Sequence, residues 1–222
     1  MKILEKLNII STRPSLIVLS GCANSGKTSL LISITKELLC NGNRVLFITD
    51  NLSEVTDTLS DEKLKLYSHN LVLIENKYGN SLKEIMGQHK YNYVIIDSIY
   101  FVLTKGNEDY LTKNDNFIDE VKEYSESYKT SFLISNNTRC LIESNKNIFV
   151  NSGKTSYIVD YIFIISKLDK YYLTLLDKIK FLFPFIWKKP NILIRVIKNR
   201  YGRLRIFYAH MDFKNSNINF YK

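Results

Sequence analysis

Several features are scarce or missing in this sequence, and each narrows what the chain can be. No run of about 18 apolar residues occurs, so no segment is long enough to span a bilayer as a helix. The stretch Met1–Ile10 alternates charged with apolar residues, which is not the pattern of a cleavable signal peptide. A cytoplasmic protein with no membrane span is the expectation. Cysteine is rare: Cys22, Cys40 and Cys140 are odd in number, far apart and in no metal-ligand spacing, which favours reduced thiols. Acidic residues almost vanish from the last quarter, where residues 170–222 hold twelve Lys and Arg against Asp177 and Asp212. The first 169 residues, with nineteen basic and twenty acidic, are nearly neutral. The net charge of +9 therefore sits in the C-terminal quarter, and a polyanion such as nucleic acid is its natural partner. A basic face that meets only solvent remains the alternative.

What is present is enough apolar content, 45% of 222 residues, for one well-cored domain. Its most specific feature is Gly21-Cys22-Ala23-Asn24-Ser25-Gly26-Lys27-Thr28, which fits G-x-x-x-x-G-K-[ST] without mismatch. The apolar segment Leu16–Leu19 before it reads as a buried strand, and Ser29–Cys40 after it carries apolar residues at helical spacing. That is the setting a phosphate-binding loop needs. Gly21, Asn24, Ser25, Gly26, Lys27, Thr28 and Ser29 are the candidate nucleotide contacts: backbone N–H groups converge on phosphates, Lys27 reaches the β- and γ-phosphates, and the Thr28 hydroxyl ligates Mg²⁺.

Along the chain, strands and helices alternate. Residues 1–15 form a lead-in, with a helix over Leu4–Ile10 at most, ended by Pro14. The spacing predicts strands at 44–49, 71–75 and 93–97, and helices over 53–66, with Ser53 a candidate N-cap, and from Asn80 or Ser81 to about Lys90. Tyr93-Val94-Ile95-Ile96-Asp97 is a buried strand ending in a carboxylate, about 70 residues after the phosphate loop, as a Walker B aspartate holding Mg²⁺ would be. Residues 101–116 read as a loop, 116–128 as a helix and 130–135 as a strand. Ser152-Gly153-Lys154-Thr155 mimics the end of a phosphate loop, without the upstream glycine or flanking elements. From there strands dominate: 157–166, 191–198 and 203–208, the last two a hairpin through Tyr201-Gly202. Residues 170–190 are an aromatic and basic insertion, a packed element or a subunit contact in preference to a membrane-surface one.

The ordered set of motifs resembles the ATPase domain of DnaB-type replicative helicases, over nearly the full length. Gly21–Thr28 matches Walker A and Val94–Asp97 matches Walker B. Residues 70–85, NLVLIENKYGNSLKEI, look like the third strand and following helix of that family. Leu133–Arg139 looks like its strand ending in Ser-Gln-x-x-Arg, with Asn136 at the sensor glutamine, and Ser152-Gly153 with 160–164 resemble the elements after its second DNA-binding loop. Lys198-Asn199-Arg200-Tyr201-Gly202 is similar to its Lys-x-Arg-x-Gly, and residues 207–220 to its closing strands.

The resemblance implies an α/β fold of the RecA-like P-loop NTPase class, with a mostly parallel central sheet flanked by helices and a C-terminal antiparallel β extension. One ATPase domain over 16–222 follows from it, with ATP and Mg²⁺ as cofactors and single-stranded DNA as substrate. So does a homo-oligomer, usually a ring of six, with other replication proteins as candidate partners. Lys27, Asp97, Asn136, Lys198 and Arg200 would be the catalytic set, the last two acting on the γ-phosphate of a neighbouring subunit. An arginine fork over developing phosphate charge supplies stabilisation that a phosphate loop alone cannot. Lys105, Lys113, Lys146 and Lys154 would track the phosphates of a single strand. The catalytic glutamate of the family aligns with Asn51, an amide that cannot act as a base, and Asp50 beside it is the other candidate to position water. Three readings follow: a helicase-type ATPase, a non-hydrolysing paralogue or loader, and a RecA-class recombination accessory.

Overall fold

A computed structural model of the chain describes residues 3–7, 9, 13–59, 68–76, 82–87, 89–99, 110–137, 157–168 and 190–221, with backbone only at 110–114. Among the described residues nine strands form one sheet: β1 (Leu16–Gly21), β2 (Val45–Thr49), β3 (Leu71–Glu75), β4 (Tyr93–Asp97), β5 (Ser131–Asn137), β6 (Tyr161–Lys167), β7 (Ile192–Asn199), β8 (Ile206–Asp212) and β9 (Asn217–Phe220). Their order is β3-β2-β4-β5-β1-β6-β7-β8-β9. Pairing is parallel from β3 through β6 and antiparallel from β6 to β9. The helices are α1 (Ile3–Lys6), α2 (Lys27–Cys40), α3 (Leu52–Leu59), α4 (Leu82–Met86) and α5 (Tyr110–Tyr128).

The parallel strands are apolar on both faces because each face is covered. Alternation sorts their side chains into two cores. Ile17, Leu19, Val45, Phe47, Tyr93, Ile95, Leu133, Tyr161 and Phe163 join Leu30, Leu31, Ile34 and Leu38 of α2, together with Leu4 and Leu7 of the lead-in. Leu16, Val18, Leu46, Ile48, Val94, Ile96, Phe132 and Ile134 face the other way, onto Phe117, Ile118 and Val121 of α5. The α2 helix ends in a Schellman turn. Gly42, at φ 75°, donates its N–H to Leu39 O at 2.9 Å, and Asn43 donates to Leu38 O at 3.0 Å.

Within the described residues most element types follow the expected pattern, while several boundaries differ; the end of the helix expected over 53–66 and its successor's cap at Asn80 or Ser81 lie outside those residues. The α1 helix is one turn, over Ile3–Lys6, instead of reaching Ile10. The α4 helix stops at Met86, before Gly87 with φ 53°. The α5 helix begins at Tyr110 and not at Asn116, because Tyr110-Leu111 and the polar residues after them continue a helix whose apolar stripe becomes obvious only at Phe117. Lys113 consequently lies on a helix instead of in a loop. Residues 157 and 158 form a helical turn, not the start of a strand, and the last hairpin arm begins at Ile206, after non-strand residues 203–205. Lys105, Lys146, Lys154, the 152–155 mimic and residues 170–189 lie outside the described residues. Among the described residues no helix is long and apolar enough to cross a membrane.

Candidate nucleotide-binding site

The β1 strand delivers the phosphate loop to the middle of the sheet, at the carboxyl edge of the parallel strands, where open α/β sheets take ligands. A Cβ on Gly21 would lie 2.4 Å from Ile165 O and 2.6 Å from Ser25 Oγ, so this position admits no side chain. Gly26 has φ 98°, a left-handed conformation that starts α2 with no side-chain cap. The first-turn N–H groups of an α-helix have no partner within it, and together with the dipole they make an anion site. The Lys27 ammonium is folded back, donating to Gly21 O at 3.0 Å and to Cys22 O at 2.7 Å. Burial pulls its pKa down to about 8, against the opposing pull of the Asp97 carboxylate. Thr28 and Ser29 are half-buried and Asn24 is exposed. Ser25 is buried, and its hydroxyl has no partner among the described residues.

Two strands away, β4 ends in Asp97, which is buried and accepts a short hydrogen bond from the Ser135 hydroxyl on β5. Sequence reasoning missed Ser135. The available signal was a hydroxyl inside the apolar strand that carries Asn136. Asn136 is itself buried, in register with Ser20 of β1. A hydroxyl (Thr28) and a carboxylate (Asp97) form a hard-oxygen donor set. It suits Mg²⁺, which keeps several waters and takes further oxygens from a phosphate chain instead of needing an all-protein cage. Among the described residues no cluster of three or more His, Cys, Asp or Glu could hold a metal by itself.

The two candidates for positioning water separate in the fold. Asn51 is the N-cap of α3: its Oδ1 accepts the Glu54 N–H at 3.4 Å and the Ser53 hydroxyl at 3.0 Å, and its Nδ2 donates to Glu54 Oε2 at 2.9 Å. The cap is therefore Asn51, not Ser53, because the helix begins one residue earlier than its apolar spacing suggests. Asp50 sits just past β2, half-buried, and its carboxyl pKa is raised by burial and then by the nearby Asp97 and Glu75 carboxylates.

Lys198 and Arg200 lie elsewhere. The β7 strand runs antiparallel to β6, with Asn199 opposite Tyr161 and Ile192 opposite Lys167, so the hairpin reaches the amino edge of the parallel strands. That edge is separated from the phosphate loop by the length of β6, about 20 Å at ~3.3 Å per residue. There Asp160, 2% exposed, accepts from the Leu16 N–H at 2.9 Å, the Tyr201 hydroxyl at 3.0 Å and the Arg200 guanidinium at 3.0 Å. Arg200 also donates to Tyr157 O at 2.5 Å, and Lys198 to the same carbonyl at 3.2 Å. Arg13 stacks 3.3 Å above the Tyr201 ring. The structure thus gathers Gly21–Ser29, Asp50, Asp97 and Asn136 at one edge and puts Lys198 and Arg200 at the other. Cys22 is disulfide-bonded whereas Cys40 is free and exposed. The expectation of reduced thiols fails at Cys22, since separation in sequence does not bound separation in a fold.

No protein-family model matches the chain. A stretch of 85 residues is 28% identical to the DNA repair protein RadA of Campylobacter jejuni, covering 38% of this chain and 19% of that relative's length. Among solved structures, the separately solved ATPase domain of a DnaB-type helicase superposes with a TM-score of 0.71 at 12% identity, over 97% of this chain and 88% of the other. A DnaB-like replicative helicase, solved for its interactions with primase, gives 0.73 at 14% identity, over 96% of this chain and 60% of that one. The RadB recombinase gives 0.63 at 12% identity, over 93% and 90%. Sheet order, phosphate loop and these superpositions agree: the chain has the RecA-like P-loop ATPase fold and resembles DnaB-type helicase ATPase domains.

Proposed function

We propose that the chain is a DNA-dependent ATPase of the helicase type, which binds ATP with Mg²⁺ at an interface between two copies of itself and acts on single-stranded DNA. The observation that carries this reading is the division of charged machinery between opposite edges of one sheet. Lys198 and Arg200 cannot reach the phosphate loop of their own chain across the length of β6, whereas in a head-to-tail arrangement they would face that of a neighbour. The names of the similar proteins, a replicative helicase, a recombinase and a DNA repair protein, support a polyanionic substrate, as does the basic C-terminal quarter. Lys105, Lys113, Lys146 and Lys154 remain the candidates for holding the strand.

In this reading the loop N–H groups and Lys27 receive the triphosphate, and the Lys27 ammonium exchanges its two loop carbonyls for phosphate oxygens. Thr28 and Asp97 would hold Mg²⁺, which would supply charge neutralisation on the phosphate chain, and the Ser135 hydroxyl fixes the Asp97 carboxylate. Asp50 takes the proton of the attacking water, because its raised pKa favours accepting one and Asn51 has no basic group. Asn136 senses the γ-phosphate from the same edge. Asp50→Asn should lower turnover by about 100-fold or more while ATP affinity stays within about threefold, a factor worth only ~0.65 kcal/mol. Unchanged turnover would remove Asp50 from the mechanism. The full reading is tested by ATPase rate with and without single-stranded DNA, together with mass in solution with a non-hydrolysable ATP analogue. Turnover indifferent to DNA in a protein that stays monomeric would sink it.

A second reading, a non-hydrolysing binding or loading module, is favoured by the commitment of Asn51 to the α3 cap. Tight ATP binding without turnover, with Asn51→Glu conferring turnover, would establish it. Filaments instead of closed assemblies under the electron microscope would favour a recombination accessory.

A further inference from the structure

The phosphate loop carries a covalent tie that phosphate binding does not require. Cys22 is disulfide-bonded and Cys40 is free, which leaves Cys140 as the remaining cysteine of the sequence to bond it. Cys140 lies outside the described residues, yet strand register brings the chain alongside the loop just before it. Gly21 of β1 is paired with Asn137 of β5, on neighbouring strands about 4.8 Å apart. Cys22 follows Gly21 directly and Cys140 follows Asn137 by three residues, so the two cysteines start from points within reach of one another. The tied residue is also the one whose carbonyl holds two donors of the site. Cys22 O accepts the Ser25 N–H at 3.2 Å and the Lys27 ammonium at 2.7 Å. A phosphate chain has to take over both. Cys22 is half-buried, which leaves room for a small thiol to approach.

We propose that this disulfide is a redox lock on the nucleotide site: while it is closed the loop stays folded on its own donors, and its reduction releases them to a phosphate. A hydrogen bond yields to a competing anion most easily when its acceptor can turn aside. Cys22 O cannot turn far while the sulfur of the same residue is fixed to another segment. Opening the lock takes a dithiol as reductant. One of its thiolates attacks a bridge sulfur and expels the other cysteine as a thiolate, and its second thiolate then resolves the mixed disulfide. Two electrons pass to the bridge, Cys22 and its partner end as thiols with the two protons, and the reductant ends as a disulfide. Because coupling is reciprocal, bound nucleotide must favour the open form by the same factor as reduction favours binding.

The lock rests on the nucleotide site proposed above, and the experiment tells the two failures apart. The full chain is equilibrated with an oxidised or a reduced dithiol, and thiols are titrated after denaturation, with one expected in the oxidised protein and three in the reduced. Affinity for Mg-ATP is then measured in both states for the wild type, Cys140→Ser and Cys40→Ser. Wild type and Cys40→Ser should bind roughly tenfold more tightly when reduced. Cys140→Ser should bind as tightly as the reduced wild type in either state. With Mg-ATP present, the thiol–disulfide equilibrium of the wild type should move about tenfold toward the thiols. Three thiols in both states, equal affinity in the two states, or tighter binding when oxidised would each overturn the proposal. So would a Cys140→Ser variant that still responds to the dithiol. Absence of ATP binding in every state and variant would remove the nucleotide site itself, and the lock with it.

Discussion

The two edges of the parallel strands are built on opposite principles. At the carboxyl edge polar groups are left wanting: the hydroxyls of Ser20, Ser25 and Ser98 are buried without partners among the described residues, and Lys27 makes do with carbonyls of its own loop. At the amino edge polar groups converge on Asp160, which satisfies a strand N–H, a phenol and a guanidinium at once. Asn199 Nδ2 is the exception there among the described residues, buried without a partner in them. Unmet hydrogen bonds in a dry setting cost stability, and among the described residues the carboxyl edge carries more of that cost than the amino edge. The amino edge shows the reverse. Arg200 is already engaged by Asp160 and by Tyr157 O, so any role on a neighbour's phosphate requires it to exchange these contacts.

If that contrast is right, mutations at the two edges should have opposite effects on the isolated fold. Asp160→Ala should be the most damaging, costing about 3–5 kcal/mol. It leaves the Leu16 N–H and the Tyr201 hydroxyl unsatisfied and releases Arg200. Urea unfolding measures this, and a loss below about 1 kcal/mol, the worth of a single ordinary hydrogen bond, would show that the amino edge is not the anchor it looks to be. Lys27→Met should do the reverse. It keeps the aliphatic stem and removes a buried ammonium, so the ligand-free protein gains about 1 kcal/mol, less than the full penalty of burying an amine because the Gly21 and Cys22 carbonyls lose their donor. Nucleotide binding should fall by more than about tenfold, since the charge that meets the phosphates has gone. Thermal melting with and without ATP checks both. A destabilised variant that still binds ATP would reverse the assignment of this edge.

Much of the parallel sheet is legible in the sequence because its inner strands are buried on both faces and its edge strand, Leu71–Glu75, is half-buried along its whole length. Val45–Thr49, Leu71–Glu75 and Tyr93–Asp97 can be read almost to the residue from continuous apolar runs. The phosphate loop is legible because its chemistry needs fixed residues at fixed spacing. What cannot be read is set by contacts distant in sequence. Ser135 matters through Asp97, 38 positions away, and Asp160 through Leu16, 144 positions away. The role of Asn51 is hidden for a local reason: an Asn before a helix reads equally as a failed catalytic position or as a cap, and only its bonds to Glu54 decide for the cap. The start of α5 is invisible because its first turn is polar, and amphipathic spacing shows nothing there.

The smallest expected effect is also the most direct check that Lys27 is held at a cost. Its folded pKa, about 8, lies below the ordinary lysine value of 10.5, so between those limits the unfolded chain binds more protons than the folded one. Stability of the ligand-free protein should therefore rise with pH across this window. Below about 8 both states are charged and the penalty is fully present; above 10.5 it has gone. Tyr93, Tyr124 and Tyr221 act with the opposite sign. Burial raises their pKa values above 10.0, so each loses stability as the unfolded phenol ionises. The two trends overlap near pH 10, and the wild-type profile alone would not separate them. The difference between wild type and Lys27→Met cancels the tyrosines. Unfolding free energies at pH 7 and pH 9.5 should show the advantage of the variant shrinking by an amount on the order of 1 kcal/mol. An advantage that stays constant across the window would mean the amine is as well solvated in the loop as in the unfolded chain, and the carboxyl edge would then hold no strain for a phosphate to relieve.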